Sequence, residues 1–480
     1  MRDSFDIVVV GSGAGGGVVA GELAQRGRDV LLLEAGPHRT AADFTRWEAK
    51  ATHDLFWPLR LAFPPNAAPI AFLGGRCVGG TTTINTKVAL RATERDVAKW
   101  HPATGLTNDR GEPFAAAELA PYYDRVEHIL GVRERRDWCK SVYTVEPGFR
   151  AHGAELEPVR SYTDVNCMRC GSCLQGCPTN AGKSTQNTYI HEAWARGLLE
   201  LRADATVERV LVEDSADGAQ ATGVEYVDAD GTRHTVRAKV VVAAAGTLNT
   251  PQLLVRSGLR GEAVGRHLGL HPSRLVYGLF DEPQDAHMVY PISAHCMKFQ
   301  HDEEGGFVIE ATTIQDPISF ATTLTDDGGP LWGPRLVEAA KGFRRWIGLL
   351  AMANDENTSA VVTGEDGSER FDVDFNTREQ ERIDAAFRFS RDVLEAAGAK
   401  QVCWTGIVST HVQGTCRMGD DTARSVVDRT CESHEVKRLF VGDGSLVPRT
   451  LSVNPSLTIM ALATRLAEHL HADAAGYLSA

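Results

Sequence analysis

Asp6–Gly36 reads DIVVVGSGAGGGVVAGELAQRGRDVLLLEAG, and this stretch decides the architecture of the chain. Ile7 to Val10 form an apolar run without polar alternation, the pattern of a parallel strand buried on both faces. Gly11, Gly13 and Gly16 follow at GxGxxG spacing. At a strand-to-helix junction the first glycine allows the tight turn and the second lets backbone approach a pyrophosphate. The third lets the helix pack on the strand with its N-terminus toward the phosphates. Gly17 adds a further small residue to that face. A second strand, Asp29 to Leu33, ends at Glu34, roughly 20 residues past the glycines, where an acid holds a ribose hydroxyl. An acid there disfavours NADP. The competing reading is a glycine-rich turn in an ordinary α/β domain, and the flanking strands, helix and acid weigh against it.

The 480 residues suffice for roughly two or three domains. A formal charge of −13 lacks the basic footprint that nucleic acid requires. No apolar run reaches membrane length, and the first strand begins almost at once. Neither a transmembrane helix nor a signal peptide is therefore expected. The ten cysteines then point to reduced thiols or metal ligands in a cytoplasmic protein rather than a disulfide framework.

Further along, Gly74–Arg91 reads GGRCVGGTTTINTKVALR, bare backbone and small hydroxyls suited to a flat ring, a phosphate chain or simply a surface loop. An amphipathic helix is expected over Leu119–Gly131. Thr206–Ala245 predicts three strands, the last two joined by a hairpin turn at Asp228–Gly231. Gly246 leads into a helix starting near Thr250 and Pro251. Between His271 and Trp404 strand-like runs, Arg274–Phe280 and Gly306–Thr313 among them, surround helical segments. The clearest helix follows Thr377, where Thr-x-x-Gln makes a capping box and Gly398 a stop.

Five segments carry a family resemblance. GSGAGGG, GGRCVGGTTTIN, GTLNTPQLLVRSGL from Gly246, HVQGTCRMG from His411 and VGDGSLVPRTLSVNP from Val441 resemble, in order, the glucose-methanol-choline (GMC) family of FAD-dependent oxidoreductases. Arg260 stands where the family signature continues with glycine, and 271–404 carries no matching motif. The resemblance implies an α/β fold: a Rossmann-like FAD-binding domain with an α+β substrate domain built on an antiparallel sheet. The expected division is 1–100, 190–270 and 405–480 for FAD, 101–189 as a connecting segment, and 271–404 for substrate. FAD contacts are expected from Gly11, Gly13, Gly16, Glu34, Gly80, Thr81, Thr82, Asn85, Val207, Gly246, Asp443, Gly444, Asn454 and Pro455. Family members with covalent flavin place a histidine before the asparagine matched by Asn85. Ile84 stands there, so the FAD is expected to be non-covalent.

Oxidising an unactivated alcohol requires a base for the hydroxyl proton, an orienting group for the oxygen and a flavin N5 in line. His411 resembles the family base, and imidazole titrates near neutrality. Asn454 stands where the family places its second histidine or asparagine, and an amide donates without titrating. Its alternative role is to cap the helix that follows Pro455. A capping side chain turns to its own helix, whereas an orienting one turns to His411. By family analogy, that helix's positive end faces the flavin pyrimidine ring. Three classes are compatible: a dehydrogenase of a small-molecule alcohol, sugar or sterol-like substrate, an oxidase using dioxygen, or a non-redox lyase.

Cys167, Cys170, Cys173 and Cys177 form CxxCxxCxxxCP, the pattern of a bacterial ferredoxin. Zinc is the second reading, because its knuckles usually lie further apart, and a disulfide is the third. In two-cluster ferredoxins the fourth cysteine of such a run binds the other cluster, so three or four ligands are open here. The spacing of Cys167, Cys173 and Cys177 resembles that of cluster-bearing GMC glucose and fructose dehydrogenases. That resemblance implies a [4Fe-4S] cluster in preference to [3Fe-4S], with Cys170 as an added ligand. Electrons would pass from it to a protein or small carrier.

Overall fold

The computed structural model describes residues 2–216, 218–313, 316–364 and 367–478. Its organising unit is β1 (Ser4–Val10), α1 (Gly16–Gln25) and β2 (Val30–Leu33), with Val8 opposite Leu31 in parallel register. Leu199–Arg202 adds a parallel strand outside β2, and Arg233–Ala243 pairs parallel with β1 on the other side. All four residues of β2 are buried, as strands covered on both faces must be.

On its side away from β1, the strand Arg233–Ala243 serves two further neighbours. Its first half pairs antiparallel with Gly218–Val227, which pairs in turn with Thr206–Ser215. Its last three residues, Val241 to Ala243, pair parallel with Leu439–Val441. The expected turn closes the hairpin, with Gly231 N–H on the Asp228 carbonyl at 3.1 Å. The predicted helices at Ala120–Leu130 and Thr250–Arg256 are both present. Helix Ser456–Ala472 packs against α1.

A second, mainly antiparallel sheet carries Ser273–Leu279, Trp346–Ala353, Phe307–Thr313 and Ala294–Cys296 as consecutive neighbours. Arg60–Ala62, Ile70–Phe72 and Ile407–Ser409 also join it, although these short strands lie outside 271–404. One face, including Val276, Ile309 and Leu349, shares a core with Ile383, Val393 and Leu394 of helix Thr377–Ala396. Side chains alternate across a pleated sheet, so the opposite face receives the row Leu275, Leu350, Glu310 and His295.

The capping box of that long helix is one residue from its expected place. Asn376, not Thr377, is the cap: it accepts from Glu379 N at 2.9 Å, while the Glu379 carboxylate accepts from Asn376 N at 2.8 Å. Asparagine outranks threonine at this position. Glu379 also accepts from Glu356 N at 2.7 Å, tying the helix start to the preceding loop.

Candidate active site

The two glycine segments of the N-terminal third are stitched together. Gly79 N–H donates to Ser12 Oγ at 2.9 Å, and the Thr185 hydroxyl donates to Ser12 O at 2.9 Å. A Cβ on Gly80 would stand 2.8 Å from Gly13 Cα. Gly11 has φ +95°, and a side chain there would strike Ala244 O, as one on Gly16 would strike Gly11 O. Gly15, outside the expected set, is the tightest of all: its Cβ would come within 1.6 Å of Gly442 O. Gly13 and Gly246 instead face open space, so their backbone is accessible to a ligand. No side chain caps α1 or helix Ser456–Ala472, and Pro455 is the N-cap of the latter. Two helix N-termini are thus left for anionic groups.

Around this cradle the expected residues take distinct places. Glu34 is buried, accepting from Ser12 N at 3.0 Å, Ser12 Oγ at 2.6 Å and Gly36 N at 2.8 Å. Burial raises its pKa, against those bonds. Asp443 accepts from Gly246 N at 2.8 Å, Thr250 Oγ1 at 2.6 Å and Ser445 N at 2.8 Å, locking the two turns together. Gly444 lies against Thr247 and Ile459. Thr82 bonds Gly79 O at 2.6 Å, and Thr81 accepts from Gly75 N at 3.0 Å. Asn85 donates to Tyr162 Oη at 2.5 Å. Val207 is buried near the head of its strand, two residues past Ala205, whose N–H bonds Glu34 O at 2.8 Å. These residues fit a dinucleotide: two bare glycines, two uncapped helix starts and an acid beside the first loop.

His411 follows strand Ile407–Ser409, and Asn454 immediately precedes Pro455. Asn454 Nδ2 lies 3.4 Å from His411 Nε2, and its side chain does not cap the helix. His271, which carried no motif, lies with Nδ1 3.1 Å from His411 Nδ1. Burial pushes the His411 imidazole down to about 4, below the near-neutral value expected from its residue type, and holds His271 well below its ordinary range. Both rings are therefore neutral at pH 7. Glu310, also missed, is fully buried, and burial pushes its carboxyl up to about 7 against the influence of the Asn454 amide. Neither Asn454 Oδ1 nor His271 Nε2 has a hydrogen-bond partner among the described residues, and the Asn454 amide is the polar group that approaches the Glu310 carboxyl.

The model of the GMC oxidoreductase N-terminal domain matches residues 5–273, and that of the C-terminal domain matches 335–463. The chain belongs to the GMC oxidoreductase family. FAD is the cofactor that this family membership supports. A long-chain-alcohol oxidase from Arabidopsis thaliana is 28% identical, covering 96% of the GMC chain and 66% of its own length. The GMC chain thus spans about two thirds of that relative. A 2-methyl-1,2-propanediol dehydrogenase from Mycolicibacterium austroafricanum is 26% identical over 98% of the chain and 95% of its own. Among solved structures, pyridoxine 4-oxidase from Mesorbium loti superposes with TM-score 0.75 at 18% identity, covering 98% of this chain and 99% of that one. At that identity the likeness concerns the fold.

The four clustered cysteines of the GMC oxidoreductase line one small cavity, together with Tyr290 and Met168. All four are free thiols. Cys173 is buried, and burial pushes its thiol up to about 12. Among the described residues, no three His, Cys, Asp or Glu side chains are grouped as ligands of a single ion. Buried Lys87 links this cavity to the glycine loop, its Nζ donating to Thr82 O and, at 3.3 Å, to Thr83 O, with the thiols of Cys173, Cys177 and Cys77 nearby. No helix among the described residues is long and apolar enough to cross a membrane.

Proposed function

We propose that this GMC oxidoreductase is an alcohol dehydrogenase in which His411 is the base and Asn454 orients the substrate oxygen. The observation that carries the reading is the pairing of His411 Nε2 with the Asn454 amide at 3.4 Å, in a buried site. A hydroxyl placed between them gives its proton to neutral His411 Nε2 and accepts a hydrogen bond from Asn454 Nδ2. Bound FAD would supply the hydride acceptor for the carbinol carbon. We assign its ribose to Glu34, whose oxygens retain lone pairs beyond the bonds already made. Ile84, buried and without a nucleophile, supports non-covalent FAD. Residues 271–404 supply the substrate wall.

The reading extends to an iron-sulfur cluster on Cys167, Cys170, Cys173 and Cys177, which rests on their spacing alone, since the four thiols line one cavity without being grouped as ligands of one ion. It would pass electrons to a protein or small carrier in the cytoplasm, a setting that ten free thiols suit. The Arabidopsis relative named as an alcohol oxidase favours a second reading, with dioxygen as acceptor. Anaerobic mixing with a panel of alcohols, followed by admission of air in a stopped-flow spectrometer, tests both. Bleaching of the flavin absorbance with slow reoxidation supports the dehydrogenase, and rapid reoxidation supports the oxidase. An unbleached flavin with every alcohol overturns the alcohol-oxidising reading.

A further inference from the structure

Residues 265–271, 413–418 and 444–450 run side by side. Gly265 N–H donates to Thr415 O at 2.8 Å, and Met418 N–H donates to Leu446 O at 2.8 Å. Asn357 fastens the outer two: its Nδ2 donates to His267 O at 2.9 Å, and its Oδ1 accepts from Thr450 N at 2.9 Å. This arrangement gathers Arg266, His267, Arg417 and Arg449, with His267 held at φ +60°, a conformation few residues with a Cβ adopt. Arg417 is only 5% exposed. Its Nε donates to Arg424 O at 2.6 Å, but its two Nη groups have no partner among the described residues. The guanidinium groups of Arg266 and Arg449 and the His267 ring likewise make no hydrogen bond or ion pair among those residues. The acids within electrical reach are committed elsewhere. Asp421 accepts from Arg424 Nε and from Ala423 N at 3.0 Å, while Asp355 accepts from the backbone N–H groups of Leu270 and His271. A chain with a formal charge of −13 thus leaves three arginines together without a counter-ion, one of them buried. Burying an unpaired guanidinium is costly, and the cost is recovered when an anion occupies the free end.

We propose that Arg266, Arg417 and Arg449, with His267 beside them, form a binding site for a tetrahedral dianion of the phosphate class, separate from the flavin cradle. Planar guanidinium forks match phosphate oxygens two at a time, which lysines or a single charge cannot do. Arg417 supplies a fixed floor, because burial and its bond to Arg424 O leave it little freedom. Arg266 is exposed, so the site opens to solvent and an ester group on the phosphate can remain outside. None of these residues belongs to the glycine turns or helix starts assigned to FAD. They stand at one end of the ladder in which Gly269 N–H donates to Gln413 O at 2.8 Å, and His271 meets His411 at the other end. The site is independent of the alcohol chemistry and of the cysteine cavity.

The test is isothermal titration calorimetry of the FAD-loaded enzyme with inorganic phosphate and with phenyl phosphate, a monoester that carries no alcohol, at an ionic strength fixed with potassium chloride. Wild type should give a saturable heat that chloride does not give. Arg449→Gln and Arg266→Gln should each weaken binding by about tenfold or more while the flavin absorbance is retained. Arg449→Lys, which keeps the charge but not the fork, should fall between. Arg417→Gln removes a buried group and is liable to misfold, so the two more exposed arginines carry the test. Binding of inorganic phosphate alone identifies the free anion as occupant, and binding of phenyl phosphate as well identifies the monoester class. Either result supports the site. Absence of a saturable heat in the wild type overturns it, as does unchanged affinity in the Arg266→Gln, Arg449→Gln double variant. Loss of FAD in step with loss of phosphate binding also overturns it, because the arginines would then belong to the flavin cradle.

Discussion

His411 Nδ1 lies 3.1 Å from His271 Nδ1, so one buried imidazole must donate to the other. The tautomers are thereby coupled. If His411 holds its proton on Nδ1 and gives that hydrogen bond to His271, its Nε2 is free to accept a proton beside Asn454. The reverse arrangement places a proton on His411 Nε2 and disables it as a base. His271 is thus a positioning residue. Replacing it with Phe should slow flavin reduction by about 10- to 100-fold while FAD remains bound, and Asn, which keeps an acceptor, should restore part of the rate. Equal loss in the two variants would count against tautomer control.

Replacing His411 with Ala should slow reduction by about 10²- to 10⁴-fold without loss of FAD. Because burial holds this imidazole down to about 4, the wild-type rate of reduction should stay level as pH falls from 8 through 6.5 and decline only toward pH 4. Stopped-flow rates across that range check the point. A decline centred on 6.5 would show that His411 titrates as if exposed.

Two adjacent-but-one glycines should fail differently. Gly13→Ala adds a methyl group to open space, so the protein should fold with unchanged melting temperature but retain less FAD after gel filtration. Gly15→Ala drives a Cβ into Gly442 O and should prevent accumulation of folded protein. Comparable FAD occupancy in folded Gly15→Ala would contradict the packing described.

Cys173→Ser should strip iron and sulfide from anaerobically purified enzyme, from roughly four irons per chain to a small remainder, while flavin content holds. An electron paramagnetic resonance signal that develops on adding substrate to the wild type should vanish in the variant. Zinc, or fully active enzyme without metal, sinks the cluster.

Glu310 also makes a stability prediction with a definite sign. Its folded pKa, about 7, exceeds the ordinary carboxylate value of 4.5, so the native state binds the extra proton between those limits. Stability linked to this group is fully present below pH 4.5 and is lost as pH rises through 7. Glu310→Gln should therefore raise the melting temperature more at pH 8 than at pH 4.5, by a few degrees. A gain independent of pH would mean that the carboxyl is not desolvated.

Much of the nucleotide-binding half is legible in the sequence because its chemistry is local. Gly11, Gly13, Gly16 and Glu34 act within one strand-helix-strand unit, and three strands follow from their own alternation and turn residues. Gly15 escapes notice because its constraint is Gly442, far along the chain. Asn454 is ambiguous between cap and orienter until the fold turns it toward His411. His271 and Glu310 have no such local mark. Each is one polar residue in or beside an apolar strand, and only the docking of the sheet brings His271 against His411 and Glu310 near the Asn454 amide. The strands at 60–62 and 70–72 are too short for alternation to reveal them.

The pairing of Val241–Ala243 with Leu439–Val441 also sets a timetable for synthesis. The sheet begun by the first ten residues cannot close until the ribosome has passed Val441, and α1 lacks its covering helix until Ala472 has emerged. At roughly 5–20 residues per second that interval is on the order of half a minute, during which an apolar strand edge is open to wrong partners. A nascent chain stalled shortly before Leu439 would hold nearly all of the glycine loops and His411, yet lack Asn454 and the strand that closes its first sheet.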